Sequence, residues 1–499
     1  MKYIKIWIMT LILFSAHNVY AGNFHSKALN EYTMEVQNLQ DGYTVQLPGG
    51  STITHEGEMN ALEADFFDVH LKIYVDTLDK GFSYQDYEVY SVAGIKKGKE
   101  HYVSFDGNVA TKNGTMHKIL FNRPNLSKVA EDKPYYMVLM KNLGGKVLTV
   151  MAKSSTPINE ALLVPIAESV RFNITAVPKA PDKVPQNYFN TTRTLSDVTY
   201  NVYNDDFLKE KPTEWGVFIV DFWRNVKLGT IENALHHTFK YMLVYQDFNY
   251  PNSNVQDALH AAKLQNRVVE LTFQTQIKDN LNETYRVLNG DYDTYLREMA
   301  QMVAKAQTPV LFRIGNEMNG DWCAYSAYNT GLDSDIYKAF YNYLYTIFSE
   351  EGALPYTLFV FNPNGRNFPN FKYNYGSEYR PDSTKYDIVG MTLYNTGTYY
   401  EDEKWESFET LYGPLYNQMV NSYDKPLMIT EFSSSTVGGD KVLWAEDMFK
   451  ALAKYPKIKV AIWWDGVDKD ANGNEARIYN IDRPYELVYL FDKYLPNNR

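Results

Sequence analysis

Beyond residue 195 the chain falls into a repeating rhythm, in which short apolar runs of strand length alternate with stretches whose apolar residues recur at helical spacing. This alternation predicts β-α units around a parallel sheet, because each crossover helix covers sheet that the strands alone would leave bare. Eight runs qualify as strands: Gly216–Phe222, Tyr241–Phe248, Arg267–Phe273, Val310–Asn316, Thr357–Asn362, Tyr386–Leu393, Pro426–Thr430 and Val460–Trp464. Helical spacing stands out at Tyr295, Met299, Met302 and Val303, and again at Leu443, Met448, Phe449 and Leu452. Eight strand-helix units in roughly 300 residues fit a (β/α)8 TIM barrel. An open doubly wound sheet is the alternative, but no phosphate-binding glycine turn follows the first run.

The preceding residues read differently. Residues 1–21 follow the pattern of an export signal: Lys2 and Lys5, a mostly apolar run from Ile6 to Ala16, and Val19-Tyr20-Ala21 before Gly22. The run is too short to span a membrane. Residues 22–176 carry alternating runs such as Val69–Val75, Tyr102–Phe105, Tyr135–Met140 and Val147–Met151, broken by Pro48-Gly49-Gly50, Asp106-Gly107 and Gly144-Gly145. Period-two patterning between such turns predicts an all-β, sandwich-like domain. A linker over 177–195, with three prolines between Val177 and Pro185, separates it from a catalytic domain over 196–499. None of the eight tryptophans falls in the front domain. Tyrosines could still present sugar-binding faces, so a carbohydrate-binding module and a packing domain both stay open.

Several chemistries are excluded. A net charge of −11 with no long Lys/Arg cluster argues against a nucleic-acid partner. The single cysteine, Cys323, permits no internal disulfide. The last histidine is His260, no His-Glu-x-x-His occurs, and neither a Gly-x-Ser-x-Gly elbow nor a nucleotide-binding glycine motif is present, so neither metal nor cofactor is expected. A soluble monomer without a membrane span is the expectation. Carboxylates are left as acid and base.

A barrel collects its active site at the C-terminal ends of its strands. Glu317, in Arg313-Ile314-Gly315-Asn316-Glu317-Met318-Asn319-Gly320, closes the fourth run, and Glu431, in Met428-Ile429-Thr430-Glu431-Phe432, closes the seventh. A charged residue ending a buried strand is costly unless the strand delivers it to a cleft, and two facing carboxylates can cleave a glycosidic bond. Other strand ends supply Asp221, Asp247, Gln274 and Gln276, then Asn316, Asn362, Asn364, Tyr394 and Asn395, and finally Trp463, Trp464 and Asp465. Amides and carboxylates read sugar hydroxyls, and flat rings cover their C–H faces. Arg313 is a candidate ion-pair partner for Glu317, Asp221 and Asp247 could serve only as caps, and one of Trp463 and Trp464 should face outward, since neighbours alternate.

Glu317-Met318-Asn319-Gly320-Asp321-Trp322 resembles the Glu-Met-Asn-Gly-x-Trp segment of glycoside hydrolase family 26, a clan A family rich in β-mannanases. Arg313, Tyr386-Asp387-Ile388-Val389-Gly390 leading to Tyr394, and Thr430-Glu431-Phe432 fit the same resemblance, which covers residues 200 to 495. It implies a retaining hydrolase acting on a β-linked polysaccharide, with Glu317 as acid/base and Glu431 as nucleophile. It also implies that Tyr394 hydrogen-bonds Glu431, that Asn316 holds the neighbouring sugar hydroxyl, and that Trp322 and one of Trp463 and Trp464 stack on sugar rings. Asn316 stands where the family usually has histidine, so mannan as substrate does not follow. β-1,3-Xylan, mixed-linkage β-glucan or the producer's own exopolysaccharide stay open, as does a catalytically silent polysaccharide-binding barrel.

Overall fold

In a computed structural model the eight apolar runs form a closed parallel barrel. Its strands are β1 (Glu214–Phe218), β2 (Tyr241–Gln246), β3 (Val268–Phe273), β4 (Val310–Ile314), β5 (Thr357–Phe361), β6 (Ile388–Thr392), β7 (Leu427–Phe432) and β8 (Ile458–Trp464). Closure comes from pairing of β1 with β8, from Glu214 opposite Val460 to Phe218 opposite Trp464. The structure describes residues 19–21, 24–54, 61–177 and 193–499. Most of the apolar leader, residues 1–18, and the proline-rich stretch 178–192 lie outside them.

All eight runs are strands, yet several end earlier than the apolar pattern suggests. Asp221 and Glu317 adopt left-handed backbone, with φ of 50° and 53°, so the chain turns before reaching them. Helices cover the barrel as the spacing predicts. Asp293–Ala306 buries Leu296, Met299, Ala300 and Val303, and Lys441–Leu452 buries Trp444, Ala445, Met448, Ala451 and Leu452. Leu443, counted among the apolar positions of that second helix, faces solvent.

The front region is mostly β. A seven-stranded antiparallel sheet runs, edge to edge, through Thr52–Thr54, Ala61–Phe66, Val69–Thr77, Lys146–Ser154, Tyr135–Asn142, Gly114–Asn122 and Tyr102–Thr111. Alternation sorts its faces. Leu71, Ile73, Val75, Leu139 and Val150 pack against Val36, Tyr43 and Val45 of a four-stranded sheet and against Leu163 and Ile166 of the helix Glu160–Ser169. Tyr74, Tyr136, Val138, Met140 and Met151 face the other way, into a core continuous with that of the barrel.

A second helix, Tyr84–Lys97, was not expected in an all-β region. Its start carries a capping box: the Asp86 amide donates to Ser83 Oγ at 3.2 Å, and Asp86 Oδ2 accepts from the Ser83 amide at 2.8 Å. Buried charge ties the regions together. Lys153 Nζ lies 2.9 Å from Asp333 and 2.6 Å from Asp335, and Lys72 Nζ lies 3.1 Å from Asp335. Among the described residues no helix is long and apolar enough to cross a membrane.

Candidate active site

Toward the C-terminal end of the barrel, the inward-facing stripe of β2 to β5 changes from apolar to polar. Leu311 gives way to Arg313, Val268 to Glu270 and Thr272, Val360 to Asn362, and Leu243 to Tyr245. The apolar layers close the barrel floor, and the polar layer above them is the floor of the cleft.

Arg313 is the hub of that layer. Its fully buried guanidinium reaches Glu431 Oε2 at 2.7 Å, Glu270 Oε1 at 2.9 Å, Thr272 Oγ1 at 2.6 Å and Asn362 Oδ1 at 3.0 Å. Burying such a cation is tolerable only when carboxylates and hydrogen bonds converge on it. The expected pairing of Arg313 with Glu317 is therefore corrected: strand alternation aims Arg313 into the barrel beneath Glu431, whereas Glu317 sits beyond the strand on a turn.

Glu431 reaches the cleft through an irregularity in β7. Met391 of β6 lies opposite Ile429, but the next residue, Thr392, lies opposite Glu431, which leaves Thr430 as an inserted residue. Strict alternation would send Glu431 outward with Ile429. The bulge turns both Thr430 and Glu431 inward and returns Phe432 to the helical side, against Trp463. Gly390 makes room for this, since a Cβ there would stand 2.5 Å from Thr430 Cγ2. Glu431 is 5% exposed and accepts from Arg313, from the Tyr245 hydroxyl and, at 3.3 Å, from the Tyr394 hydroxyl. Three converging donors suit an acceptor-only carboxylate.

Glu317 sits in contrasting surroundings. Its amide donates to Asn362 O at 2.8 Å, and its Oε1 accepts from Asn364 Nδ2 at 2.6 Å. Burial pushes its carboxyl up to about 8, and the charge of Glu431 adds to the effect, against smaller opposing contributions from Asn364, Arg313 and Trp322. Asn319, two residues on, shapes the loop that carries Asn364: its Oδ1 accepts from the Asn364 amide at 2.7 Å, and its Nδ2 donates to Asn364 O, Arg366 O and Asn367 Oδ1. The Glu-Met-Asn-Gly-x-Trp run thus links the carboxyl to its own hydrogen-bond donor.

The other candidates separate clearly. Asn316 ends up beside the pair, its Oδ1 accepting from Gln274 at 2.7 Å and its backbone carbonyl from Tyr325 at 2.7 Å, so its amide nitrogen is left for a ligand. Trp464 stacks on Phe218 at 5.3 Å and meets Tyr394 edge-on, at the cleft mouth. Trp322 is 54% exposed, beside Phe368.

Three expectations are corrected. Trp463 is fully buried between Phe432, Trp444 and Phe491, because alternation in β8 turns it under the helices. Asn362 is engaged beneath the pair with Arg313 and Thr392, which makes it a support for Arg313 instead of a sugar contact. Asp247 caps its own turn, accepting from the Asn249 amide at 2.7 Å. Asp221 likewise pairs with Arg224, Asn395 bridges to Ser434, Asp465 holds Lys227, and the Gln276 amide caps onto Glu283.

Tyr245 and Glu270 were overlooked in the sequence. Both lie inside apolar runs, on the inward stripe around Arg313, and a polar group at such a position was the available signal. Glu270 is wholly buried, and burial pushes its carboxyl up to about 8 against the pull of Arg313.

Fold and site together define a (β/α)8 barrel with one carboxylate just beyond strand four and one within strand seven. Residues 243–466, most of the barrel, match the model of glycosyl hydrolase family 26. Endoglucanase H of Acetivibrio thermocellus is 30% identical over 185 residues, 36% of this chain and 20% of that protein. Mannan endo-1,4-beta-mannosidase of Bacillus subtilis is 26% identical over 199 residues, 36% of this chain and 49% of that protein. The chain thus spans less than half the length of either relative. A modular endo-beta-1,4-mannanase from Cellulomonas fimi, a solved structure, superposes with a TM-score of 0.46 at 13% identity, covering 60% of this chain and 74% of that one.

Proposed function

We propose that this protein is an endo-acting glycoside hydrolase that cleaves a β-linked polysaccharide with retention of configuration. The observation that carries the reading is the division of labour between its two carboxylates. Glu317, its carboxyl raised to about 8 by burial, holds a proton at neutral pH and can give it to the leaving oxygen. Glu431, gripped by Arg313, Tyr245 and Tyr394, is oriented to attack the anomeric carbon. Water then releases the glycosyl-enzyme, with Glu317 acting as base. Asn316 offers its amide to the adjacent hydroxyl, and Trp322 and Trp464 offer faces to flanking sugars.

β-Mannan and β-glucan head the substrate candidates, since the relatives' names point to both. The leader over residues 1–21 supports export. Release of reducing ends from a polysaccharide panel, with Glu431→Ala as control, tests the activity: wild type and variant equally inert on every polymer would remove the hydrolase reading. Proton NMR of the first product tests the stereochemistry, and an inverted anomer would overturn double displacement.

A further inference from the structure

The front-region helix Tyr84–Lys97 directs its contacts onto two barrel loops, one following β4 and one following β5. The Tyr90 hydroxyl donates to Asp321 Oδ2, and its ring lies 4.7 Å from that of Tyr328. Ser91 Oγ and the Tyr373 hydroxyl are 3.2 Å apart, and Tyr87 packs at 4.2 Å on Phe371. Helix and loop meet so closely at Gly94 that a Cβ there would stand 2.5 Å from Tyr328 O. From the sheet, Asp76 Oδ1 accepts from the Lys372 amide at 2.7 Å. The two loops are also joined to each other, Asn374 Nδ2 donating to Asn319 O at 2.7 Å.

These loops carry the groups around Glu317. Asp321 immediately precedes Trp322, whose ring rests over Gly320 so closely that a Cβ there would stand 2.5 Å away. The indole is half-exposed and packs on Gly320 and Phe368, so its place follows the backbone of the turn, and the left-handed backbone of Glu317 persists only where its surroundings hold it. Asp321 is held on both sides: Asn329 Nδ2 donates to its carbonyl at 2.7 Å, and Tyr90 to its carboxylate.

We propose that Tyr90 is a positioning residue of the active site: by holding Asp321 it fixes the turn 317–323 that presents Trp322 to substrate, which makes the front region a built-in brace of the cleft. This rests on the reading that Trp322 contacts a sugar. Tyr90→Phe keeps the ring and removes only the hydroxyl. It raises KM for the polysaccharide by about three- to tenfold, the size expected for one lost hydrogen bond, and leaves kcat and the unfolding midpoint near wild type. Amide exchange across residues 318–323 accelerates. Asp321→Asn, which still accepts from Tyr90, keeps the wild-type KM, whereas Asp321→Ala behaves as Tyr90→Phe. In a Trp322→Ala background the Tyr90 change has no further effect.

Unchanged exchange and KM in Tyr90→Phe, or an equal KM change with and without Trp322, overturns the proposal. Should wild type hydrolyse nothing, the functional reading fails by itself, and the exchange rates still decide whether Tyr90 holds the turn.

Discussion

Glu317 and Glu431 share one rim of the barrel, but they were built into it by opposite means. Glu431 lies within its strand, on a layer of polar side chains wired to a buried arginine. Glu317 lies past the end of its strand, on a turn, with two neutral side-chain partners, the Asn364 amide and the Trp322 indole. The same side chain is therefore given two characters by desolvation on one side and by converging donors on the other. The difference teaches that the two characters reside in the neighbours: Arg313, Tyr245 and Tyr394 for one carboxylate, burial with Asn364 and Trp322 for the other.

The contrast is broken most severely at Glu431. Glu431→Ala lowers kcat by on the order of 10⁴-fold or more, measured as steady-state release of reducing ends, because it removes the carboxylate that Arg313 orients.

Glu317→Gln lowers kcat by roughly 10²- to 10⁴-fold on substrates whose leaving oxygen needs a proton. It also sharpens the comparison through pH. Wild-type activity declines as pH rises through about 8, where Glu317 loses its proton, and the variant lacks that limb. Stability follows the same sign. Between the ordinary value of 4.5 and about 8 the folded protein keeps a proton that the unfolded chain has lost, so stability falls as pH rises across that window. The variant shows a shallower fall, and what persists includes the share of Glu270, whose carboxyl is raised in the same direction.

Arg313→Met costs about 3–5 kcal/mol in urea denaturation, since Glu270 and Glu431 are left buried without their cation. Smallest is Asn364→Ala. The Asn364 amide favours the charged form of Glu317, so its loss moves the alkaline limb to higher pH and lowers kcat/KM by about three- to tenfold. An unmoved limb would show that Asn364 does not tune the acid.

Much of this site was legible before any coordinates. Eight apolar runs gave eight strands because parallel strands buried on both faces must be apolar throughout. Glu317 and Glu431 stood out because each interrupts or ends such a run. What escaped was whatever depends on the third dimension. Glu270 and Tyr245 were hidden inside runs that read as plain strand. Arg313 was visible, but its partner was not, since the side a residue faces depends on where a strand stops and the chain turns. Trp463 and Trp464 could be placed on opposite faces by alternation, but which of them faced inward was undecided until the register of β8 was known. The helix Tyr84–Lys97 was legible in principle from Ser83 and Asp86, yet the strand rhythm around it masked the capping signal.

The inserted residue in β7 works as a phase slip. Upstream of it the strand keeps the beat of its neighbours, and downstream it is half a period out of step, which puts a carboxylate where an aromatic ring would otherwise point. Without the slip, strict alternation from Ile429 onward would aim Phe432 into the cleft and Glu431 toward the helices, and a barrel of unaltered strand count would present no carboxylate there. The place of this carboxylate therefore hangs on one uncounted residue in a ladder, a matter of register and not of side-chain identity.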